Sequence, residues 1–104
     1  MENDLTKRVS ERLDELIDEE TARRFGELNI VTDVSETPVG SVHIRFRTLS
    51  AYSPTAVDIG RNIREAAMSV KGVKSVWVEC GGHIMDELVD RIVNGEGQKP
   101  KKLK

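Results

Sequence analysis

Cys80 and His83 stand three residues apart across a Gly81-Gly82 turn, and of all the side chains in this sequence they are the best suited to chemistry. A thiol and an imidazole so spaced can reach one metal ion, or can act together as nucleophile and base. Two ligands fall short of the four that a structural zinc site requires. His43, the other histidine, alternates with Arg45 and Arg47 on what reads as the solvated side of a strand, so it supplies no third ligand. Cys80 itself shares a strand face with Val76 and Val78, the pattern of a buried and inert thiol. Two readings therefore stand side by side: a structural cysteine, and a metal or redox site of Cys80 with His83 completed by a partner's ligand. No serine or cysteine lies beside a base that a third group would orient, so binding rather than catalysis is expected.

A second candidate is the turn Tyr52-Ser53-Pro54-Thr55. Serine followed by proline has the form of a helix N-cap with proline at the first helical position. Such a start presents a hydroxyl and free backbone N–H groups, which can hold an anion or thiolate or can simply cap the helix. His83 occupies the matching place before the last helix, where the positive end of the helix dipole favours an uncharged ring.

The elements that must carry these turns follow from periodicity. Leu5, Val9, Leu13, Leu16 and Ile17 recur at helical spacing behind a cap at Asn3 or Asp4, predicting an amphipathic helix over 4–17. The β-rich segment 28–34, between Gly26 and a 36–40 turn, predicts a first strand. Val42, Ile44, Phe46 and Thr48 alternate with His43, Arg45 and Arg47, a strand with one buried face. Ile59, Ile63, Ala66, Ala67 and Val70 mark a helix over 54–71 closed by Gly72. Val76, Val78 and Cys80 alternate with Trp77 and Glu79 in a third strand. In the last helix Ile84, Leu88 and Ile92 form a ridge beside Met85, Val89 and Val93. The fold class is α+β: a small mixed three-stranded sheet, order α-β-β-α-β-α, with helices packed on it. Residues 1–94 form one domain and 95–104 a flexible basic tail with Lys99, Lys101, Lys102 and Lys104.

Composition narrows the function. With 104 residues, 38% hydrophobic and 33% charged, the chain can build one core and no second. A net charge of -2 supplies no field for nucleic acid or an anionic membrane. The lone Cys80 forbids an intrachain disulfide and points to a reducing compartment, the cytoplasm by default. No run of apolar residues is long enough for a membrane span. Four aromatics leave little for base stacking, although Arg45, Arg47 and Trp77 could still read a single strand as a small RNA-binding module.

Over roughly residues 10–93 the order of elements and several local patterns resemble the iron–sulfur cluster assembly domain family, the SufT-like and PaaD-like proteins of metal–sulfur cluster biosynthesis. Asp18-Glu19-Glu20 resembles the family's Asp-Pro-Glu turn, and Asn29-Ile30-Val31 its Gly-Leu-Val strand. Ser53-Pro54, with Ile59-Gly60 in register, resembles its Cys-Pro helix start, and the 72–78 segment its Gly-Val-x-x-Val-x-Val run. Cys80-Gly81-Gly82-His83 resembles the Pro-Gly-Thr-His turn of the eukaryotic cytosolic branch. The resemblance implies a non-enzymatic accessory in cluster assembly or metalloenzyme maturation. Its partners would be cluster carriers or client metalloproteins, its cargo a transient iron–sulfur cluster or iron, and a homodimer is compatible with it.

The departure is Ser53, which stands where the family's reactive cysteine would sit; a hydroxyl does not become the metal-binding thiolate that a helix N-terminus favours. The expected partner-binding residues are Asp18, Tyr52, Ser53, Pro54, Asp58 and His83, with Cys80 and His83 as the metal candidates. The geometric expectation beneath them is that the second and third strands run parallel and deliver both turns to one end of the sheet.

Overall fold

The computed structural model describes residues 4–95, so the expected basic tail lies, apart from Gly95, outside the described residues. Helix α1 (Asp4–Asp14) begins with an acid and carries Arg12 in its last turn, matching the helix dipole. Its buried stripe is Leu5, Val9 and Leu13. The helix stops three residues short of the expected end: Leu16 N–H bonds to the Leu13 carbonyl at 3.1 Å in a tighter turn, and Ile17 leaves the helix to bridge Arg24. Ile17 is thus exposed, not part of the buried stripe.

One element was not foreseen. A single helical turn, α2 (Phe25–Leu28), buries Phe25 and ends at Asn29 in the left-handed conformation, φ 55°, which asparagine tolerates better than most residues. It displaces the first strand, β1 (Val31–Glu36), from the expected 28–34. Arg47, read as a solvated strand residue, instead spans back to this turn. Its Nε and Nη2 donate to the carbonyls of Asn29 and Leu28 at 2.9 and 2.6 Å, satisfying the open end of α2.

Strand β2 (Ser41–Arg47) pairs antiparallel with β1, and β3 (Ser75–Gly81) pairs parallel with β2, giving the sheet order β1-β2-β3. The mixed α+β sheet is therefore as expected, with α2 added to the order of elements. Register sets Val42 beside Val76, Ile44 beside Val78 and Phe46 beside Cys80, all buried. Leu5, Val9 and Leu13 of α1 join these residues in one continuous core. So do Ile59, Ile63 and Ala67 of α3 (Ala56–Met68) and Val89 and Val93 of α4 (Asp86–Asn94).

Helix α3 is shorter at both ends than the expected 54–71. The Thr55 carbonyl accepts the first helical N–H, from Ile59 at 2.9 Å, so Pro54 sits in the preceding turn. At the other end Ser69 closes the helix, its hydroxyl donating to the Ala66 carbonyl at 2.6 Å. Gly72, at φ +100°, serves the turn into β3.

Gly60 marks where α3 and α4 meet. A Cβ there would lie 2.6 Å from Val93 Cγ2 and 3.3 Å from Phe46 Cζ. Gly60→Ala would normally gain up to about 1 kcal/mol in a helix. Here overpacking against a β-branched side chain with little rotamer freedom costs roughly 1–3 kcal/mol and wins. We expect a net loss of about 1–2 kcal/mol in urea denaturation; a net gain would mean that α4 moves aside freely.

Candidate docking site

Because β2 and β3 are parallel, both release the chain at the same end of the sheet. The turns that follow are bonded to one another. Ile84 N–H donates to the Ala51 carbonyl at 3.0 Å, and His83 Nε2 lies 2.9 Å from the Ser53 carbonyl. A carbonyl only accepts, so Nε2 carries the hydrogen; Nδ1 in turn accepts the Met85 N–H at 3.1 Å. Both ring nitrogens are thereby used within the protein. The helix dipole is not what sets this tautomer, since α4 begins at Asp86 and His83 lies in the turn before it.

Ser53 is buried. Its N–H bonds to the Ser50 carbonyl at 3.2 Å, and its hydroxyl lies 3.2 Å from Thr55 Oγ1 and 3.4 Å from the Thr55 N–H. The Ser53 hydroxyl thus bonds to the chain two residues on, and Thr55 is the N-cap position. Between the bonded residues 51 and 53, Tyr52 projects with 73% of its surface exposed. Its N–H is tied to Ser50 Oγ at 3.1 Å, so the backbone beneath it is anchored.

Thr55 continues the arrangement into a cleft that it lines with Asp18, Asp58 and Asn62. The enclosed part measures about 10 Å³, the room of a single water molecule. Asp18 is buried, and its Oδ2 accepts both the N–H and the hydroxyl of Thr21, at 3.0 and 2.8 Å. It therefore organises the 18–23 loop, whereas Asp58 is exposed at the rim. Of the expected site residues, His83 is thus joined to the Tyr52-Ser53-Pro54 turn by a hydrogen bond, whereas Asp18 and Asp58 line a separate cleft that includes Thr55, two residues on from Ser53.

Cys80 faces the core from β3, beside Phe46. Burial, with Asp90 and Asp86 nearby, pushes its thiol up from 9.0 to about 11. Its N–H donates to Asp90 Oδ1 at 2.6 Å. Among the described residues no three His, Cys, Asp or Glu side chains are grouped to hold a metal ion.

The outward sheet face places Trp77 beside His43 and Glu79 beside Arg45. His43 Nε2 lies 3.1 Å from Glu79 Oε1, and Arg45 Nε 4.0 Å from Glu79 Oε2. With Arg47 drawn off to α2, this face carries a locally balanced polar network, not the row of free arginines that single-stranded RNA would need.

A family model described as "Iron-sulfur cluster assembly protein" matches residues 6–79. The chain belongs to this family. Among solved structures it is similar to the crystal structure of Domain of Unknown Function DUF59 from Bacillus anthracis. The TM-score is 0.68 at 20% identity, over 80% of this chain and 81% of that one, a likeness of fold. No curated protein matches it.

In this cluster assembly protein the match ends at residue 79, just before the turn that holds His83. The sequence reading missed the residues that join the site together. The Ala51 carbonyl and the Met85 N–H carry no side-chain signal at all. Thr55, at the start of α3, and Asn62, in its middle, carried no sign that they are cleft walls. Asp90 and Asn94 stand four apart on α4, next to the buried Val89 and Val93. Polar residues adjoining an inward apolar pair were the available sign that they serve the sheet.

Proposed function

We propose that this chain acts in iron–sulfur cluster assembly as a non-enzymatic accessory, docking a carrier or client protein on the paired 51–54 and 82–85 turns. One observation carries the reading: the turns are bonded through Ile84 to Ala51 and His83 to Ser53, holding exposed Tyr52 on a rigid base. A large aromatic displayed on an ordered turn is the kind of anchor that dominates interfaces, because little flexibility is lost on binding.

The chain's own side chains do not fit the holding of a cluster. Position 53 is serine, both nitrogens of His83 are engaged, and the Cys80 thiol is buried and held protonated at neutral pH. The cluster is accordingly treated as the partner's cargo, and the cytoplasm as the compartment in which the two meet. Among the described residues no helix is long and apolar enough to cross a membrane.

The test is complementation of source cells lacking the chain, reading the specific activity of iron–sulfur enzymes. Wild type and Cys80→Ala are expected to restore activity, and Tyr52→Ala is expected to fail at equal protein level. His83→Ala, which unlinks the turns, is expected to restore it only partly. Full restoration by Tyr52→Ala and His83→Ala alike would refute docking at the turns, and failure of Cys80→Ala with its fold intact would return the thiol to the site.

A further inference from the structure

Helix α4 turns Val89 and Val93 into the core, which leaves its opposite side without cover. There Leu88 and Ile92 have 41 and 40% of their surfaces exposed, and Ile84 and Met85, in the turn that leads into the helix, have 61 and 51%. Four large apolar residues in one strip on a chain of this size call for a partner surface.

The charges beside the strip say which. Glu87 and Arg91 lie one turn apart on the same flank, both exposed, and neither has an ion-pair partner among the described residues. Elsewhere the same spacing is closed within its own segment, at 3.0 Å for Arg8 with Asp4 and 3.2 Å for Arg23 with Glu27. An unpaired acid and base on one flank of an apolar strip are complementary to their own image. A two-fold axis near Leu88 sets two α4 helices antiparallel, which brings the turn holding Ile84 in each copy to the Ile92 end of the other. Matching flanks then meet, so that Glu87 of each copy reaches Arg91 of the other, twice over. The acidic first turn of one helix, Asp86 and Glu87, also comes to the basic end of its mate, as antiparallel dipoles favour.

We infer that the exposed face of α4 is a self-association surface, on which a second copy of this chain packs antiparallel to form a two-fold dimer. The inference goes beyond the docking reading. The two surfaces adjoin at Ile84 and Met85, but the test below reads only Glu87, Leu88 and Arg91, which lie outside the docking turns, so either can fail without the other. Two helices of this length make a small interface, so the dimer is weak, with a dissociation constant on the order of 10 μM.

Sedimentation velocity of the full chain tests it, over roughly 1–300 μM. Wild type is expected to pass from monomer to dimer across that range, and Leu88→Glu to stay monomeric. Glu87→Arg and Arg91→Glu each bring like charges together and are expected to weaken the dimer by at least about tenfold. Mixed in equal amounts, those two variants recover both attractive pairs, and a heterodimer of near wild-type affinity is expected. All three side chains are exposed, so melting curves should match wild type and confirm that each variant is folded. Wild type monomeric throughout, a dimer indifferent to Leu88→Glu, or a mixture no more associated than its separate components would each overturn the proposal.

Discussion

Replacing Asn94 by alanine is expected to remove about 3 kcal/mol of stability, although the residue is the last of α4 and touches no candidate site. The reason is the free edge of β3. The sheet order β1-β2-β3 leaves β3 with one side unpaired, and exposed strand edges invite pairing with other chains. Helix α4 closes that side with side chains. Asn94 is buried; its Oδ1 accepts the Val78 N–H at 2.9 Å, and its Nδ2 donates to the Val78 carbonyl at 2.8 Å. The amide group thus presents a donor and an acceptor as a neighbouring strand would. One turn earlier, Asp90 Oδ1 takes the Cys80 N–H at 2.6 Å. Truncation at 94 leaves two buried backbone groups unmet, each costing roughly 1–3 kcal/mol before water enters. Asn94→Asp keeps the acceptor and loses the donor, so it should recover little. Urea denaturation with hydrogen exchange at Val78 measures both effects; a loss below about 0.5 kcal/mol would mean that water replaces the amide without penalty.

The second large effect concerns Cys80 and bears directly on whether this chain can hold a cluster. Its thiol is pushed up to about 11 from 9.0, first by burial and then by Asp90 and Asp86. At pH 8 the folded protein therefore carries about 100-fold less thiolate than the unfolded chain, and thiolate is the species that alkylates and binds metal. Iodoacetamide should modify native Cys80 at least about 100-fold more slowly than the denatured chain. The same shift makes stability depend on pH. Below pH 9 the thiol is protonated in both states and the contribution is intact. As pH rises toward 11 the unfolded chain releases a proton that the folded chain retains, and stability falls. Cys80→Ala should remove part of that alkaline decline relative to wild type, on the order of 1–2 kcal/mol once solvent screening is allowed for. Rapid native alkylation at pH 8 would show an accessible, ionised thiol and reopen the metal reading of Cys80 with His83.

Much of the fold was legible because each strand and helix declares its buried face locally. Val42, Ile44 and Phe46 alternate, as do Val76, Val78 and Cys80, and an alternating run needs no distant information to be read as a strand. Helix α2 was not legible for the same reason: four residues cannot display a helical period, and only the carbonyls bonded by Arg47 and the left-handed Asn29 mark it. The limits of α3 moved inward because the Ser53 hydroxyl bonds within the preceding turn to Thr55, and Ser69 closes the helix by donating to the Ala66 carbonyl, so neither the Ser53-Pro54 pair nor Gly72 bounds it.

What this sequence determined by itself was the class and order of its main elements, the absence of any intrachain disulfide, and a serine, not a thiol, ahead of Pro54. Those properties reside in residue type and short-range spacing. Tertiary structure alone decided that His83 bonds to the Ser53 carbonyl thirty residues away, that Asn94 completes the edge of β3, and that Ile84, Leu88 and Ile92 face solvent while Val89 and Val93 face the core. Such contacts depend on backbone groups and on the side of a helix that meets a sheet, and neither is written in the identity of the residues that make them.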